Sequence, residues 1–291
     1  MSDTQKWMTQ IKPQGKGINL NLKEIWSYRD LVVLFVKREF ISKYKQTILG
    51  PLWAVIQPLL TTVVFTIIFG SLAKLTTADA TMPDNVKIPS FLFYMSGTIV
   101  WTYFSTTVHT TSNTFIANMN VMGKVYYPRM VTPLSTALSN LISFFIQLVM
   151  FVVVAIVAID IGQASFCVSW HIMLLPLLIV QMVMLSTGVG ITISALTTKY
   201  RDLAMLVSFG LELWKYASPV AYGLALIPTK FFGIYMWNPV TTIITAMRYA
   251  FFGTGYFVWS DYILSWIVTT VIFLVGMILF NRIEKTFMDT I

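Results

Sequence analysis

The fold is decided by LKEIWSYRDLVVLFVKREFISKYKQ (residues 22–46), which runs directly into TILGPLWAVIQPLLTTVVFTIIFGSLA (residues 47–73). The first stretch is charged and amphipathic: at 100° per residue, Trp26, Val33 and Phe40 fall on one side and Lys37 on the other. This pattern is typical of a helix lying at a membrane surface, which we predict over residues 22–45. The second stretch carries no charge and exceeds the roughly 20 residues that cross a bilayer. It predicts a helix that enters the membrane.

The composition predicts an integral membrane protein. Of 291 residues, 56% are hydrophobic and 11% are charged, which leaves too few charges to cover a soluble globule. The net charge of +8 does not indicate nucleic acid, because the cations fall mainly in segments that flank membrane helices. With one cysteine, Cys167, and two histidines, His109 and His171, we expect neither an internal disulfide nor a metal site.

The remaining chain is predicted to be all-helical, with six membrane spans and one membrane domain over residues 22–291. Residues 1–21 are polar and predict a cytoplasmic tail rather than a signal peptide. The uncharged runs place the spans at about 48–73, 91–118, 132–159, 171–196, 203–223 and 262–281.

Residues 224–260 are apolar but interrupted by proline and glycine, which predicts one or two short helices that dip into the membrane and return. Asn238 is the expected N-cap of such a helix, with Pro239 at its first position and Gly253 at its end. A re-entrant segment therefore separates the fifth span from the sixth.

The distribution of cations predicts the orientation. Fifteen of the 20 Lys and Arg residues fall on the side of the N-terminal tail and four on the other side, with Lys215 inside the fifth span. Because cytoplasmic loops carry the excess of positive charge, both termini are expected in the cytoplasm.

Polar residues inside the spans have two interpretations. Thr102 and Thr106 recur at helical spacing in the second span, as do Ser143 and Gln147 in the third. Such stripes can line a conduit, but hydrogen bonding between helices is their commoner role and is favoured here. Glu212 and Lys215 are three residues apart in the fifth span, so they can neutralise each other or line a substrate path, and both interpretations stay open.

The sequence contains no nucleotide-binding loop. The pattern G-x-x-x-x-G-K-[ST], whose backbone amides and lysine hold phosphates, does not occur. The chain is therefore not expected to be an ATPase, and no cofactor is expected to bind to it.

Four segments together resemble the membrane subunit of type-2 ABC exporters for surface polysaccharides, the O-antigen, capsule and teichoic-acid permeases. They occur in the expected order, over roughly residues 25–282: RDLVVLFVKREFISKYKQTILGPLWAVIQPLLTTVVFTIIFG (29–70), MGKVYYPRMVTPLS (122–135), ASPVAYGLALIP (217–228) and WNPVTTIITAMRYAFFG (237–253).

The resemblance implies a homodimer in the bacterial cytoplasmic membrane that binds two copies of a separate ATPase subunit, which would hold ATP and Mg²⁺. It implies export of an undecaprenyl-linked glycan through a channel between the two subunits. The residues that would couple the permease to the ATPase are Arg29, Lys37, Arg38, Lys124, Tyr126, Tyr127, Pro128, Arg129 and Arg201. The channel would be lined by Trp53, Gln57, Glu212, Lys215 and Tyr216. The re-entrant gate would contain Asn238, Pro239 and Arg248.

Three other functions compete with this one. A permease for a drug or a small lipid would share the architecture and differ in the channel. A membrane-embedded transferase acting on a lipid-linked substrate would need clustered catalytic histidines or carboxylates. A proton-driven carrier would use Glu212 as its relay and would need no ATPase.

Overall fold

The computed structural model describes residues 26–72, 86–114, 117–118, 127–166, 168–199 and 202–287, apart from the side chains at 198, 199, 204 and 283–287. The described part is helical, with one isolated backbone bridge between Lys87 and Ser165. Its α-helices, numbered here in chain order, are α1 (Arg29–Tyr44), α2 (Trp53–Phe65), α3 (Ser90–Ser112), α4 (Val131–Asp160), α5 (Leu175–Lys199), α6 (Leu203–Tyr216), α7 (Thr229–Met236), α8 (Pro239–Phe252) and α9 (Trp259–Phe287).

Helix α1 packs along the start of α4 rather than standing alone. Its buried side chains are Val32 and Phe35, whereas Trp26 and Val33 are exposed. The apolar side expected to face the membrane, with Trp26 and Val33, is exposed on the subunit, whereas the contact with α4 buries Val32 and Phe35. Sequence periodicity alone could not fix this, because Val32 and Val33 are equally apolar.

A sharp turn separates α1 from the first membrane helix. Gln46 and Gly50 both have positive φ values, 65° and 54°, a conformation that interrupts a right-handed helix. A 3₁₀ turn, Gly50–Leu52, then leads into α2, and a π-helical segment, Thr66–Leu72, completes the span. The predicted division into two successive helices is confirmed, with α1 ending at Tyr44.

Helix α3 lies at the centre of the bundle, in contact with α2, α4, α5, α6 and α8. Most of its side chains are buried, including Tyr94, Met95 and Ile99. Its regular helix ends at Ser112, short of the predicted boundary at 118. Near that end the hydroxyls of Thr110 and Ser112 donate to carbonyls of the preceding turn, which weakens helix continuation.

Four helical stretches in the described ranges are long and apolar enough to cross a bilayer: Gly50–Leu72, Val131–Asp160, Trp170–Thr197 and Trp259–Arg282. These correspond to the first, third, fourth and sixth predicted spans. Helix α3 is long enough, but its serines, threonines and tyrosines make it too polar for this criterion.

The fifth predicted span, 203–223, is wrong in length. Helix α6 has 14 residues and ends at Tyr216, so it extends only about 21 Å, less than the ~30 Å of a bilayer core. The chain cannot continue the helix through Pro219, because proline lacks the N–H and disfavours helical geometry in the preceding residue.

The segment after α6 forms the short helices expected from its proline and glycine content. A 3₁₀ turn, Leu224–Leu226, precedes α7 and α8. The Asn238 side chain caps α8 by accepting a hydrogen bond from Val240 N, Pro239 is at the first position, and Gly253 ends the helix at φ 69°. The predicted N-cap and C-terminal stop are confirmed.

Helices α5 and α9 form the most extensive helix pair, and glycines allow their close approach. A Cβ atom on Gly276 would lie 2.6 Å from Gly188 O and 2.8 Å from Thr192 Oγ1. A Cβ atom on Gly188 would lie 2.8 Å from the Cα atom of Phe273. The two backbones are in contact here, which is the means by which membrane helices pack tightly.

We expect Gly276→Ala to lower the thermal stability of the detergent-purified protein, because the added methyl group overlaps backbone of α5 and overpacking costs about 1–3 kcal/mol. Gly210→Ala in α6 is the matched control, since a Cβ atom added to Gly210 would meet no described atom within 4 Å. Thermal unfolding of both variants checks this, and equal melting temperatures would contradict the packing of α5 on α9.

Candidate functional site

Two elements predicted to couple to an ATPase meet in one cluster. The rings of Phe35 in α1 and Tyr127, just before α4, are 5.6 Å apart and nearly perpendicular. The Arg38 guanidinium lies 4.6 Å from the centre of the Phe35 ring. The Tyr127 hydroxyl is 3.2 Å from Thr132 Oγ1. Helix α1 and the start of α4 therefore form a single basic-aromatic surface.

Within this surface the predicted residues differ in accessibility. Tyr127 is buried in the subunit, so its ring supports the surface from within and does not project toward a partner. Pro128 and Arg129 are half-buried, and Lys37 and Arg38 are exposed. Three further coupling residues, Lys124, Tyr126 and Arg201, lie outside the described residues.

Arg29 contributes to the surface from the start of α1. Its Nε atom lies 3.9 Å from Asp30 Oδ1, and both side chains are mostly exposed. An ion pair with this exposure contributes little to stability. The Arg29 side chain is thus held only weakly within the subunit.

Glu39 joins α1 to α4 by a side-chain hydrogen bond. Thr136 Oγ1 donates to Glu39 Oε1 at 2.9 Å. Burial raises the pKa of Glu39, while the Thr136 hydrogen bond and the charge of Arg38 act against that rise. The bond fixes the side of α1 that lies on α4 and leaves Lys37 on the accessible side.

Residues expected to line a channel fall into two separate groups. Trp53 and Gln57 in α2 line a cavity with residues of α1, α3 and α4. Lys215 in α6 instead lies over Phe65 in α2, with Nζ 5.0 Å from the ring centre. The Lys215 side chain therefore reaches α2 at Phe65, away from Trp53.

Glu212 and Lys215 do not neutralise each other. No salt bridge joins these two described side chains, and Glu212 is exposed on the surface of the subunit, next to the exposed Tyr216 and Leu213. The interpretation as a mutually paired couple is wrong, since Lys215 turns toward Phe65. A carboxylate on an apolar helix is costly in lipid, which favours a location facing water or another subunit.

The Asn238 side chain bonds to the non-helical segment that follows α6 (the break) as well as capping α8. Its Oδ1 atom accepts a hydrogen bond from Trp214 Nε1 at 3.2 Å. Its Nδ2 atom donates to Ala217 O at 3.2 Å and to Ser218 Oγ at 3.0 Å. One side chain thus connects the end of α6, the non-helical backbone and the start of α8.

Arg248, which lies in α8, bonds to the same break, and the residue is only 4% exposed. Its Nη2 atom donates to Val220 O at 3.2 Å and to Phe93 O at 3.3 Å, and its Nε atom donates to Ser96 Oγ at 3.3 Å. The guanidinium also lies 3.7 Å from the centre of the Phe93 ring. Within the predicted re-entrant gate, Arg248 is therefore a buried residue whose donors are used on α3 and on the non-helical segment.

Close approach at Arg248 depends on a glycine in α3. A Cβ atom on Gly97 would lie 2.8 Å from Arg248 Nη2 and 2.9 Å from Val220 O. Sequence reasoning missed Gly97 and gave Arg248 a different role. The available signal was a cation within an otherwise apolar segment, which predicts buried donors in need of acceptors.

The chain is similar to known membrane transport proteins over most of its length. A family model described as ABC-2 type transporter matches residues 30–252. An O-antigen export system permease protein RfbA from Klebsiella pneumoniae is 30% identical over 263 residues, which cover 89% of this chain and 94% of that protein. RfbA from Myxococcus xanthus is 28% identical, covering 79% of this chain and 84% of its own. The polysialic acid transport protein KpsM from Escherichia coli is 22% identical, covering 73% and 78%.

We expect Arg248→Lys to destabilise the protein by about 2–4 kcal/mol, because one lysine nitrogen cannot reproduce both the Nη2 bonds to Phe93 O and Val220 O and the Nε bond to Ser96 Oγ. Lys230→Arg is the control, since Lys230 is exposed on α7. Thermal unfolding in detergent distinguishes the two. An unchanged melting temperature in Arg248→Lys would show that the guanidinium fork does not hold the break.

Proposed function

Because the chain belongs to the ABC-2 type transporter family, we propose that it is the permease subunit of an ATP-driven exporter for a lipid-linked surface polysaccharide. The observation that carries the proposal is the nearly full-length similarity to O-antigen export permeases from two bacteria, together with the polysialic acid transport protein. An undecaprenyl-linked glycan is the proposed substrate class.

The proposed complex is a homodimer of this chain with two separate ATPase subunits, each holding ATP and Mg²⁺. The absence of a phosphate-binding loop in the sequence supports a separate ATPase. The surface formed by α1 and the start of α4 is the proposed docking site, because it presents Lys37, Arg38 and Arg129 over a rigid aromatic support. In this arrangement both termini lie in the cytoplasm.

The proposed channel runs between the two permease subunits. Large apolar side chains are exposed along the first span and α6, among them Val63, Ile67, Phe209 and Leu213. Contiguous exposed apolar surface fits an interface with a second copy, and the exposed Glu212 among these residues fits a water-filled path. Helix α3 is a fifth membrane-crossing element of the proposal, the shorter α6 enters the membrane without crossing it as a single helix, and α7 and α8 are the re-entrant pair.

We expect a soluble ATPase to co-purify with the tagged protein after gentle extraction from its native membrane. Mass spectrometry should find a partner with a phosphate-binding loop in equal amount, and deletion of the permease should remove a surface glycan. If the protein is purified folded and without an ATPase, the proposed exporter function is contradicted. A deletion strain with an unchanged surface glycan would favour a drug or small-lipid permease.

We expect Arg129→Glu to reduce export and permease-stimulated ATP hydrolysis by about tenfold or more, because reversing a charge at a docking surface is strongly unfavourable. Lys230→Glu, on the exposed surface of α7, is the matched charge reversal and should have no such effect. Circular dichroism and thermal unfolding establish that both variants fold. If folded Arg129→Glu exports normally, the docking surface is elsewhere.

A further inference from the structure

A polar cavity of about 150 Å³ lies between α1, α2, α3 and α4. It is on the order of ten times the 10–15 Å³ of probe volume that holds one water molecule, so it has room for a small polar group. Its walls include Tyr44 from α1, Trp53 from α2, Thr106 from α3 and Gln147 from α4. The two polar stripes noted in the second and third spans face each other across it.

One acceptor in the wall has no partner within the described residues. Gln147 is 4% exposed, and its side-chain oxygen is buried without a hydrogen bond. The neighbouring groups are already engaged: Asn140 Nδ2 donates to Thr107 and Thr110, and the Tyr44 hydroxyl is 2.9 Å from Ser143 Oγ. That oxygen is closed off from the cavity, so the accessible amide that an occupant meets is the exposed side chain of Gln57.

A cation lies at the rim of the cavity. Lys43 is exposed at the end of α1, with its ammonium 5.7 Å from the centre of the Tyr44 ring. It is the one charged residue among the described residues that line the cavity. A cavity with a cation and no carboxylate favours an anion that also contacts the amide of Gln57.

The surface that continues from the cavity is apolar. Trp53, Gln57, Leu60, Val64 and Ile68 recur every three or four residues and are exposed on one side of the first span. The cavity is at the end of this stripe that adjoins α1. A headgroup in the cavity would therefore continue into an acyl or prenyl chain along the stripe, a geometry that fits a lipid rather than a free ion.

We propose that this cavity binds the headgroup of an anionic lipid, with its phosphate at Lys43 and one of its hydroxyls donating to the Gln57 side-chain oxygen. Two lipids share this chemistry: a bilayer phospholipid with a glycerol headgroup, and a polyprenyl diphosphate that carries a sugar. Trp53 flanks the site and supplies an aromatic face for the headgroup. The site does not depend on the exporter function, because all its residues belong to one subunit.

Native mass spectrometry of the full chain in detergent tests the site with added lipids. Phosphatidylglycerol carries both the anion and the hydroxyls, whereas phosphatidylcholine has no hydroxyl and no net charge. The wild-type protein should bind phosphatidylglycerol about tenfold more tightly than phosphatidylcholine, and Lys43→Gln should lose this preference. Lys45→Gln removes an exposed cation of the same segment that does not line the cavity. This variant should keep the preference for phosphatidylglycerol over phosphatidylcholine.

Gln57→Leu tests the second half of the site. It should weaken phosphatidylglycerol binding several-fold without loss of the fold, because it removes an exposed polar side chain from the cavity wall. A polyprenyl diphosphate with one sugar distinguishes the two sources: displacement of phosphatidylglycerol identifies the substrate class, and no displacement identifies a bilayer lipid.

Two results would overturn the proposal. If Lys43→Gln and Lys45→Gln bind phosphatidylglycerol equally, the cation at the rim does not select the ligand. If phosphatidylglycerol and phosphatidylcholine bind equally to the wild-type protein, the cavity holds water and the lipids associate only with the apolar stripe. No ATPase is present in this experiment, so either result leaves the exporter function to be judged by co-purification.

Discussion

Backbone groups that leave a helix inside a packed bundle need partners, and Arg248 and Asn238 supply them where the chain breaks after Tyr216. Arg248 donates to Val220 O and Phe93 O, and Asn238 donates to Ala217 O. Unpaired carbonyls at such depth would be costly. The two side chains come from α8 and its cap, so the short helices are attached to the bundle at the point where α6 ends. The end of α6, the break and α8 therefore act as one unit.

Burial in protein rather than lipid explains the composition of α3. Five helices surround it, so its serines, threonines and tyrosines contact side chains and carbonyls instead of hydrocarbon. Asn140 of α4 donates to Thr107, and the Tyr103 hydroxyl donates to Ala137 O. The polarity that keeps α3 below the hydropathy of a membrane span is thus the basis of its contacts, and it leaves a polar cavity beside α2.

Helix α4 connects features that are far apart in the sequence. Its first turns adjoin Tyr127 and the basic-aromatic surface with α1, and further along it presents Ser143 and Gln147 to the cavity. Tyr44 bridges the two regions by its contact with Ser143. A partner bound to the surface and a headgroup in the cavity would therefore touch the same helix pair, α1 and α4.

The sequence by itself determined the helical class, a separate helix before the first span, four apolar spans and the caps of α8. These follow from local charge, run length and the backbone preferences of Asn, Pro and Gly, which act within a few residues. Only the tertiary structure decided which side of α1 packs on α4, where α6 ends, and which groups Lys215 and Arg248 contact. Those outcomes depend on residues distant in the sequence, such as Phe65, Phe93 and Val220, and no local pattern records them. The cavity belongs to the second kind, because its walls come from four helices and its unpaired Gln147 oxygen is visible only once the neighbouring donors are assigned.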